Sequence, residues 1–419
     1  MTAPTTTIKV TPVSPAPPTA SPASPTPPVP GLTLTADGSY AARLTRAHGT
    51  GDAWFPERWT LDSSEPYAVA LPGGQPEEPG TEVQAMGDGR VLIHRRTDGR
   101  HTFTLLYPTG RAPGPGGSGT GSGTGSATGS ATGSATGEVP LGAVECPDGE
   151  PLRLLPPAPG GTHAYAVAAG ERSSAVWLVA GGAFGPEHVA EVPGRCSGGV
   201  WLDRAGRLLA LDRELDGRTK TVAVDLERGG EVSPLLQISE ESDDRLLLAD
   251  ADSGLLLIRS DAPGRPRLGW GVLGSSLPVR FPDSLLLPDL TVTPFAIQPG
   301  QVLMPESCGV AFALRMSEGP GGGPGGAAWL GFWRPADRTV HQLGAPDGWL
   351  TGCGFWSGDG VLHLPYATEA VPCGVVRVPA PAPAPVESAV RVRAIPPTPT
   401  APRPVPLGQA PLAGRGTGG

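Results

Sequence analysis

Short runs of apolar residues, separated by turn residues, follow one another along most of the chain. The clearest unit lies between residues 199 and 238, where four runs alternate with three tight turns: 199–203, 207–211, 219–226 and 231–238. Short runs bounded by Gly and Asp are typical of β-strands joined by hairpin turns. No stretch combines apolar residues at helical spacing with an N-cap signal, so we expect no long helix.

The same order of strands recurs seven times. The turn before the second strand of each unit contains a glycine that marks it: Gly38, Gly89, Gly161, Gly206, Gly254, Gly300 and Gly360. The markers are about 45 to 50 residues apart, as in propeller repeats, except where Gly- and Pro-rich insertions lengthen the second and sixth units. The pattern predicts an all-β fold, a β-propeller of about seven four-stranded blades over residues 31–395.

The repeat resembles seven-bladed propellers in general and no well-marked subfamily. It lacks the Trp-Asp dipeptide that ends the blades of WD40 repeats, and its double glycines at 181–182, 198–199 and 229–230 lack the later Tyr and Trp of kelch repeats. The resemblance covers the organisation of the repeat and implies no functional residue, because one fold carries many functions.

Tryptophans mark the third strand in three of the units, and the last unit is incomplete. We expect Trp177, Trp270, Trp329 and Trp333 to be buried between blades, where a large flat side chain fills the space between sheets. The seventh unit, residues 349–378, supplies three strands. We predict its fourth strand at 389–395, which alternates with period two; the rival is 8–10 near the N-terminus.

Glycine and proline together exceed a quarter of the chain, with 62 and 52 residues, a level that signals low complexity. Much of the excess lies in three segments: a Pro/Thr/Ser tail at 1–30, a Gly/Ser/Thr loop at 111–137 and a Pro-rich tail at 396–419. We expect the tails to be disordered and the loop to be flexible. The second tail is either a spacer or a ligand for an SH3- or WW-type domain.

Charge and cysteine usage exclude several classes of partner. The net charge is −9, and only Lys9 and Lys220 are lysines, so no basic stripe exists to bind nucleic acid or an anionic membrane. Five cysteines without a C-x-x-C pair indicate no disulfide framework. No signal peptide or apolar stretch of membrane-spanning length occurs. We therefore expect a monomeric cytoplasmic protein with reduced thiols; export by an unrecognised route would instead oxidise them.

Catalytic motifs are absent from the sequence. There is no nucleophile elbow, Walker loop, H-E-x-x-H or S-x-x-K motif. Residues 269–274 match G-x-G-x-x-G, but they lie on a predicted strand that no helix follows. Asp250 and Asp252 before Gly254 favour a turn over a calcium loop. The Cys-Gly steps at 308, 353 and 373 favour small core residues over a metal site. We assign no catalytic, cofactor-binding or metal-binding residue.

The remaining titratable residues are interpreted as structural or solvated. Seven histidines are scattered over the units without a repeated partner: His48, His94, His101, His163, His188, His341 and His363. Of these, His94 and His363 follow the start of a second strand and are the candidates for facing the central channel. The acidic pairs at 240–241 and 243–244 are expected at the solvated surface.

Two functions remain open at this point. The first is a non-catalytic propeller that acts as a binding platform or scaffold for a protein partner, whose identity the sequence does not give. The second is an enzyme or small-ligand binder with its site in the central channel. The second hypothesis predicts several Asp, Glu, His or Arg side chains at one channel mouth, with shifted pKa values.

Overall fold

The computed structural model describes residues 31–46, 53–97, 99–109, 136–146, 151–300, 304–316 and 328–381. Within these ranges the chain forms 26 β-strands, two short 3₁₀-helices and no α-helix. The described strands form seven antiparallel sheets, and each sheet is built from strands that are consecutive along the chain. The protein is therefore the seven-bladed, all-β propeller that the repeat predicts.

Some predicted segments lie outside the described residues. They are the tails at 1–30 and 396–419, most of the loop at 111–137, and both candidates for the fourth strand of the last blade, 389–395 and 8–10. At the end of the loop, a strand already begins at Thr136.

The first four blades have four strands each. Blade 1 contains β1 (Thr33–Leu34), β2 (Tyr40–Arg46), β3 (Trp54–Thr60) and β4 (Tyr67–Ala70). Blade 2 contains β5 (Glu82–Ala85), β6 (Val91–Thr97), β7 (Arg100–Pro108) and β8 (Thr136–Glu145). Blade 3 contains β9 (Leu152–Leu154), β10 (Ala164–Ala169), β11 (Ser173–Ala180) and β12 (Glu187–Pro193). Blade 4 contains β13 (Arg195–Trp201), β14 (Leu208–Leu215), β15 (Arg218–Asp225) and β16 (Glu231–Leu236).

The last three blades differ in strand number: blade 6 has four strands, and blades 5 and 7 have three each within the described residues. Blade 5 contains β17 (Asp244–Ala249), β18 (Leu255–Ser260) and β19 (Arg267–Val272), and Trp270 of β19 forms an isolated bridge with Arg280. Blade 6 contains β20 (Leu290–Ile297), β21 (Val310–Met316), β22 (Ala328–Trp333) and β23 (His341–Gly344). Blade 7 contains β24 (Phe355–Trp356), β25 (Val361–Tyr366) and β26 (Gly374–Pro379). The 3₁₀-helices are η1 (Asp283–Leu285) and η2 (Pro305–Ser307).

The core lies between the blades, because each sheet buries both of its faces. In β14, Leu209 and Leu211 pack against blade 3, whereas Ala210 packs against blade 5. This is the period-two alternation of a strand buried on both sides. Of the predicted tryptophans, Trp270 and Trp333 are buried in one cluster between blades 5 and 6. Trp177 and Trp329 are only partly buried and pack against the edges of such clusters.

The turns between first and second strands lie at one end of the propeller. In an antiparallel meander the turns between third and fourth strands share that end, which we call the glycine-turn face; the other end is the opposite face. Six of the seven marker glycines have positive φ angles of 67° to 80°, which glycine adopts without strain. Gly300 does not, because the connection in blade 6 is longer and η2 separates it from β21.

The turns of this face also hold neighbouring blades together. The amide of Gly87 donates to the carbonyl of Gly161 at 2.8 Å, which joins blades 2 and 3. The ring closes where the side chain of Phe355 in blade 7 lies over Gly38 in blade 1. A buried apolar cluster that includes Trp59 and Cys353 fills the same junction.

Candidate functional site

A hairpin of blade 3 presents a fully exposed aromatic side chain on the glycine-turn face. Phe184, between β11 and β12, is 96% exposed. The hairpin is fixed from inside, because the amide of Ala183 donates to the carboxylate of Glu187 at 3.0 Å. Its base also rests on blade 2, where a Cβ on Gly142 would lie only 2.8 Å from the ring of Pro186. Phe184 is thus held outward by a defined loop.

A groove of about 300 Å³ lies beside this side chain. Blade 2 contributes Pro140 and Leu141, and the end of β11 contributes Val179 and Ala180. The remaining lining is the hairpin itself, so no charged residue borders the groove. The exposed side chain of Phe184 and a groove with uncharged described residues around it therefore lie side by side.

Two further large apolar side chains are exposed on the same face. Leu277, in the connection after β19, is 63% exposed, and Met304, between β20 and β21, is 69% exposed. Together with Phe184 they are the three most exposed large hydrophobic residues in the described ranges. Those on the opposite face, Leu215, Met316 and Val371, are 44%, 56% and 38% exposed.

A buried chain of three titratable groups lies between blades 2 and 3. We call Glu82, His94 and His101 the histidine cluster. Nδ1 of His94 lies 2.9 Å from Oε2 of Glu82, and Nε2 of His94 lies 2.8 Å from Nδ1 of His101. The same carboxylate accepts a hydrogen bond from the amide of Leu154 in blade 3 at 3.0 Å. Blade 2 is therefore bonded to blade 3 through this carboxylate.

Burial shapes the protonation of this cluster. His101 is 1% exposed, and its Nε2 has no hydrogen-bond partner within the described residues. Burial, with the positive potential of His94 and Arg96, lowers the pKa of His101 from 6.5 to about 4. His94 stacks on Phe103 with ring centroids 5.1 Å apart. At neutral pH His101 is thus a neutral, packed side chain.

A second buried polar group lies between blades 4 and 5. The carboxylate of Asp212 accepts hydrogen bonds from the hydroxyl of Thr221 at 2.8 Å and from the amide of Leu246 at 3.0 Å. Because Asp212 is buried, its pKa is raised from 3.8 to about 6, although these hydrogen bonds and Arg245 oppose the rise. As in the histidine cluster, a carboxylate of one blade holds an inner-strand amide of the next.

Asp244 corrects an expectation from the sequence. It was placed with Asp243 at the solvated surface, but it is fully buried and lies 2.8 Å from Nζ of Lys220. Its carboxylate also accepts hydrogen bonds from Ser260 and Ser242. Burial raises its pKa, but the hydrogen bonds from Lys220, these serines and the amide of Ile238 together lower it. The acid is buried because it begins an inner strand and a lysine of the preceding blade neutralises it.

The other candidate residues have structural surroundings. Asp250 accepts hydrogen bonds from the amide and hydroxyl of Ser253 and from the amide of Gly300, which is the turn geometry. The G-x-G-x-x-G match begins on strand β19. His363 stacks on Phe355 at 4.8 Å. His48 lies outside the described residues.

The cysteines and metal-binding residue types form no centre within the described ranges. None of the five cysteines forms a disulfide, and four of them are buried: Cys196, Cys308, Cys353 and Cys373. Burial raises the pKa of these four thiols. No group of three or more His, Cys, Asp or Glu side chains among the described residues is arranged to hold a metal ion. A search of the same residues finds no helix long and apolar enough to cross a bilayer.

Sequence reasoning missed the contact between His94 and His101. Its signal in the sequence is the Asp-Gly pair at 98–99, which is typical of a two-residue hairpin. In the structure β6 and β7 pair with Arg96 opposite His101. In that register the two histidines lie diagonally across adjacent strands, within reach of each other.

Comparisons with known proteins agree with a propeller and add no function. No protein-family model matches the chain, and no curated protein matches it in sequence. The oligogalacturonate lyase of Vibrio parahaemolyticus is similar in structure, with 10% identity, a TM-score of 0.49 and coverage of 83% of this chain and 89% of that one. The β-propeller domain of the Trilobed protease from Pyrococcus furiosus has 10% identity, a TM-score of 0.45 and coverage of 83% and 94%.

TolB from Acinetobacter baumannii is a third similar structure, with 10% identity, a TM-score of 0.39 and coverage of 81% of this chain and 79% of that one. Such low identities and TM-scores carry nothing about chemistry from these proteins to this chain. Both a scaffold and an enzyme are represented among propellers, so function has to be argued from this chain's own surface.

Proposed function

We propose that this protein is a non-catalytic propeller that serves as a binding platform for a protein partner, acting as a monomer in the cytoplasm. The observation that carries the proposal is the concentration of exposed apolar side chains on one face. Phe184, Leu277 and Met304 all stand in turns of the glycine-turn face. They belong to blades 3, 5 and 6, so a protein that docks across these blades would cover all three.

The geometry around Phe184 supports a protein as the occupant. Aromatic side chains on rigid supports are common anchors of interfaces, where they fill a pocket of the partner. The neighbouring groove is bordered by apolar side chains and by backbone groups of residues 179–185. A protein partner can insert an apolar side chain there while it receives Phe184 in a pocket of its own.

The buried titratable groups support the same proposal. In the histidine cluster and at Asp212, the carboxylates are occupied by hydrogen bonds to backbone amides of the next blade. Groups in such positions hold blades together, which is a sufficient reason for their burial and their shifted pKa values.

The test compares two triple variants of the full chain as bait in its native host. The first is Phe184→Ser, Leu277→Ser and Met304→Ser on the glycine-turn face. The matched control is Leu215→Ser, Met316→Ser and Val371→Ser on the opposite face, whose side chains are 38% to 56% exposed. All six are surface positions, so both variants should retain the thermal stability of the wild type to within a few degrees.

We expect quantitative cross-linking and mass spectrometry to recover one protein in stoichiometric amount with the wild type and the control, and to lose it with the first variant. Failure to recover a stoichiometric partner contradicts the proposal, and so does equal loss from both variants. Sedimentation that shows self-association dependent on Phe184 would identify a second copy of this chain as the occupant and would refute the monomeric platform.

A further inference from the structure

Three consecutive inner strands each carry an arginine near their start, opposite Val167, Glu214 and Arg259 of the second strands. In blades 3, 4 and 5, one inner-strand amide donates to a side chain of the preceding blade. The three amides are those of Leu154, bonded to Glu82, of Cys196, bonded to Ser174, and of Leu246, bonded to Asp212. The residue directly before each of them is an arginine, and we call the set Arg153, Arg195 and Arg245 the arginine arc. Because each lies at the start of an inner strand, the arc borders the channel at the opposite face.

Two members of the arc have no acidic partner. Arg153 and Arg195 are exposed, and no carboxylate oxygen of the described residues lies within ion-pair distance of either guanidinium. Glu214 faces Arg195 across β14, but the two side chains form no ion pair. These guanidinium groups are therefore available to a ligand.

The third member is held in place by neutral groups. Arg245 donates to the hydroxyls of Ser197 at 3.2 Å and Thr219 at 3.1 Å. Its contact with a carboxylate is longer, 3.8 Å to Oδ2 of Asp212, whose raised pKa reduces its charge near pH 6. Ser197 belongs to the inner strand of blade 4, two residues after Arg195. The guanidinium of Arg245 therefore contacts the same strand that carries Arg195.

A like charge faces Arg245 across the sheet. Arg259 on β18 is its direct partner in the register, and opposed like charges in adjacent strands are destabilising. Burial and Arg245 both lower the pKa of Arg259. No carboxylate of the described residues pairs with Arg259. Arg259 thus adds a positive charge next to Arg245 that no ion pair among the described residues neutralises.

We propose that the arginine arc is a binding site for a small multivalent anion whose carboxylate or phosphate groups bridge the guanidinium groups of blades 3, 4 and 5. Arginine matches both groups with two parallel hydrogen bonds. Binding also relieves the repulsion between Arg245 and Arg259. The site is independent of the platform, because it lies on the opposite face.

The surroundings favour a compact anion over an acidic peptide. The connection between β16 and β17 also lies on the opposite face, and it carries Glu240, Glu241 and Asp243. An extended acidic chain that left the arc would pass these carboxylates and be repelled by them. A molecule small enough to remain among the arginines avoids that repulsion.

The experiment is isothermal titration calorimetry of the full chain with citrate and with inorganic phosphate, each against sodium chloride at equal ionic strength. The variants are Arg245→Gln, the triple Arg153→Gln, Arg195→Gln and Arg245→Gln, and Arg245→Lys. The control is Arg228→Gln, which removes the same charge from an exposed position on the glycine-turn face. Circular dichroism checks the fold, and the lysine variant keeps the charge if the glutamine variants unfold.

We expect saturable binding of citrate or phosphate to the wild type and to the control, with no response to chloride. Loss of one charge-assisted contact should weaken binding about tenfold or more in Arg245→Gln, and the triple variant should show none. Arg245→Lys should bind more weakly than the wild type, because lysine lacks the fork. Absence of binding by the wild type overturns the proposal, as does unchanged binding in the folded triple variant or in the lysine variant. These outcomes do not bear on the proposed platform.

Discussion

Acidification should loosen the junction between blades 2 and 3, because His101 is buried in its neutral form. In the unfolded chain this histidine takes up a proton near its ordinary pKa of 6.5, whereas in the folded protein it does so only near 4. Between these values the unfolded state binds the additional proton, so the free energy of unfolding falls as the pH falls. The contribution is fully present above pH 6.5 and lost by about pH 4.

The size of the effect follows from the two pKa values. A fall from 6.5 to about 4, at about 1.4 kcal/mol per pKa unit, corresponds to about 3 kcal/mol. Most of it, about 2 kcal/mol, should be lost between pH 7 and pH 4.5. The titratable groups around His101 are His94 and Arg96, which lower its pKa, and Glu82, which raises it.

The assay is urea unfolding followed by tryptophan fluorescence at half-unit steps from pH 7.5 to 4.5. His101→Leu removes the titrating ring and should reduce the loss of stability over this range by about 2 kcal/mol relative to the wild type. His188→Gln is the control, since His188 is exposed and its ion-pair partner among the described residues, Glu191, is exposed as well. This control variant should show the same change in the free energy of unfolding with pH as the wild type. Equal pH dependence of the wild type and His101→Leu would refute the reasoning.

Three further outcomes are expected. Asp212→Asn should reveal a pH dependence opposite to that of His101. Because the pKa of Asp212 is raised from 3.8 to about 6, the free energy of unfolding of the wild type should fall by up to about 3 kcal/mol relative to the variant as the pH rises from 4 to 6.5, measured by urea unfolding. Gly38→Ala should lower the free energy of unfolding by about 1 to 3 kcal/mol more than Gly217→Ala, since both glycines have φ of 72° but only Gly38 contacts blade 7; equal losses would contradict that closure contact. In thiol labelling at pH 8, half-buried Cys146 should react before Cys353, whose pKa is raised to about 11; the reverse order would contradict their burial.

The blade count could be predicted from sequence because it depends on local chemistry. The turn before each second strand needs a positive φ, and glycine supplies it at positions such as Gly89 and Gly206. The burial of Trp333 was predictable for a related reason, since a third strand packs on both faces. Blade 6 shows the limit, because Gly300 kept the spacing without being the turn that precedes β21.

Contacts between blades could not be predicted in the same way. The bond from Asp212 to the amide of Leu246 joins residues 34 apart along the chain, and only the stacking of two blades brings them together. Asp244 was misassigned for this reason, because its neutralising partner Lys220 belongs to the preceding blade. Residues 243–244 look like a polar turn in the sequence, but Asp244 begins an inner strand and is buried where that strand packs against the preceding blade.

These inter-blade bonds also distinguish two kinds of charged residue near the channel: those whose charged group holds two blades together and those whose charged group can bind a ligand. A carboxylate such as Glu82, whose oxygen is bonded to the amide of the next blade, cannot take up a ligand without weakening that junction. The arginine that precedes the bonded amide is under no such constraint, and Arg153 is exposed and unpaired among the described residues. A pKa shift alone would favour His101 and Asp212 as functional groups. The hydrogen-bond partners favour the arginines instead, because the buried acids are already bonded within the protein. Ligand binding in the channel of this propeller should therefore be sought at the arginines.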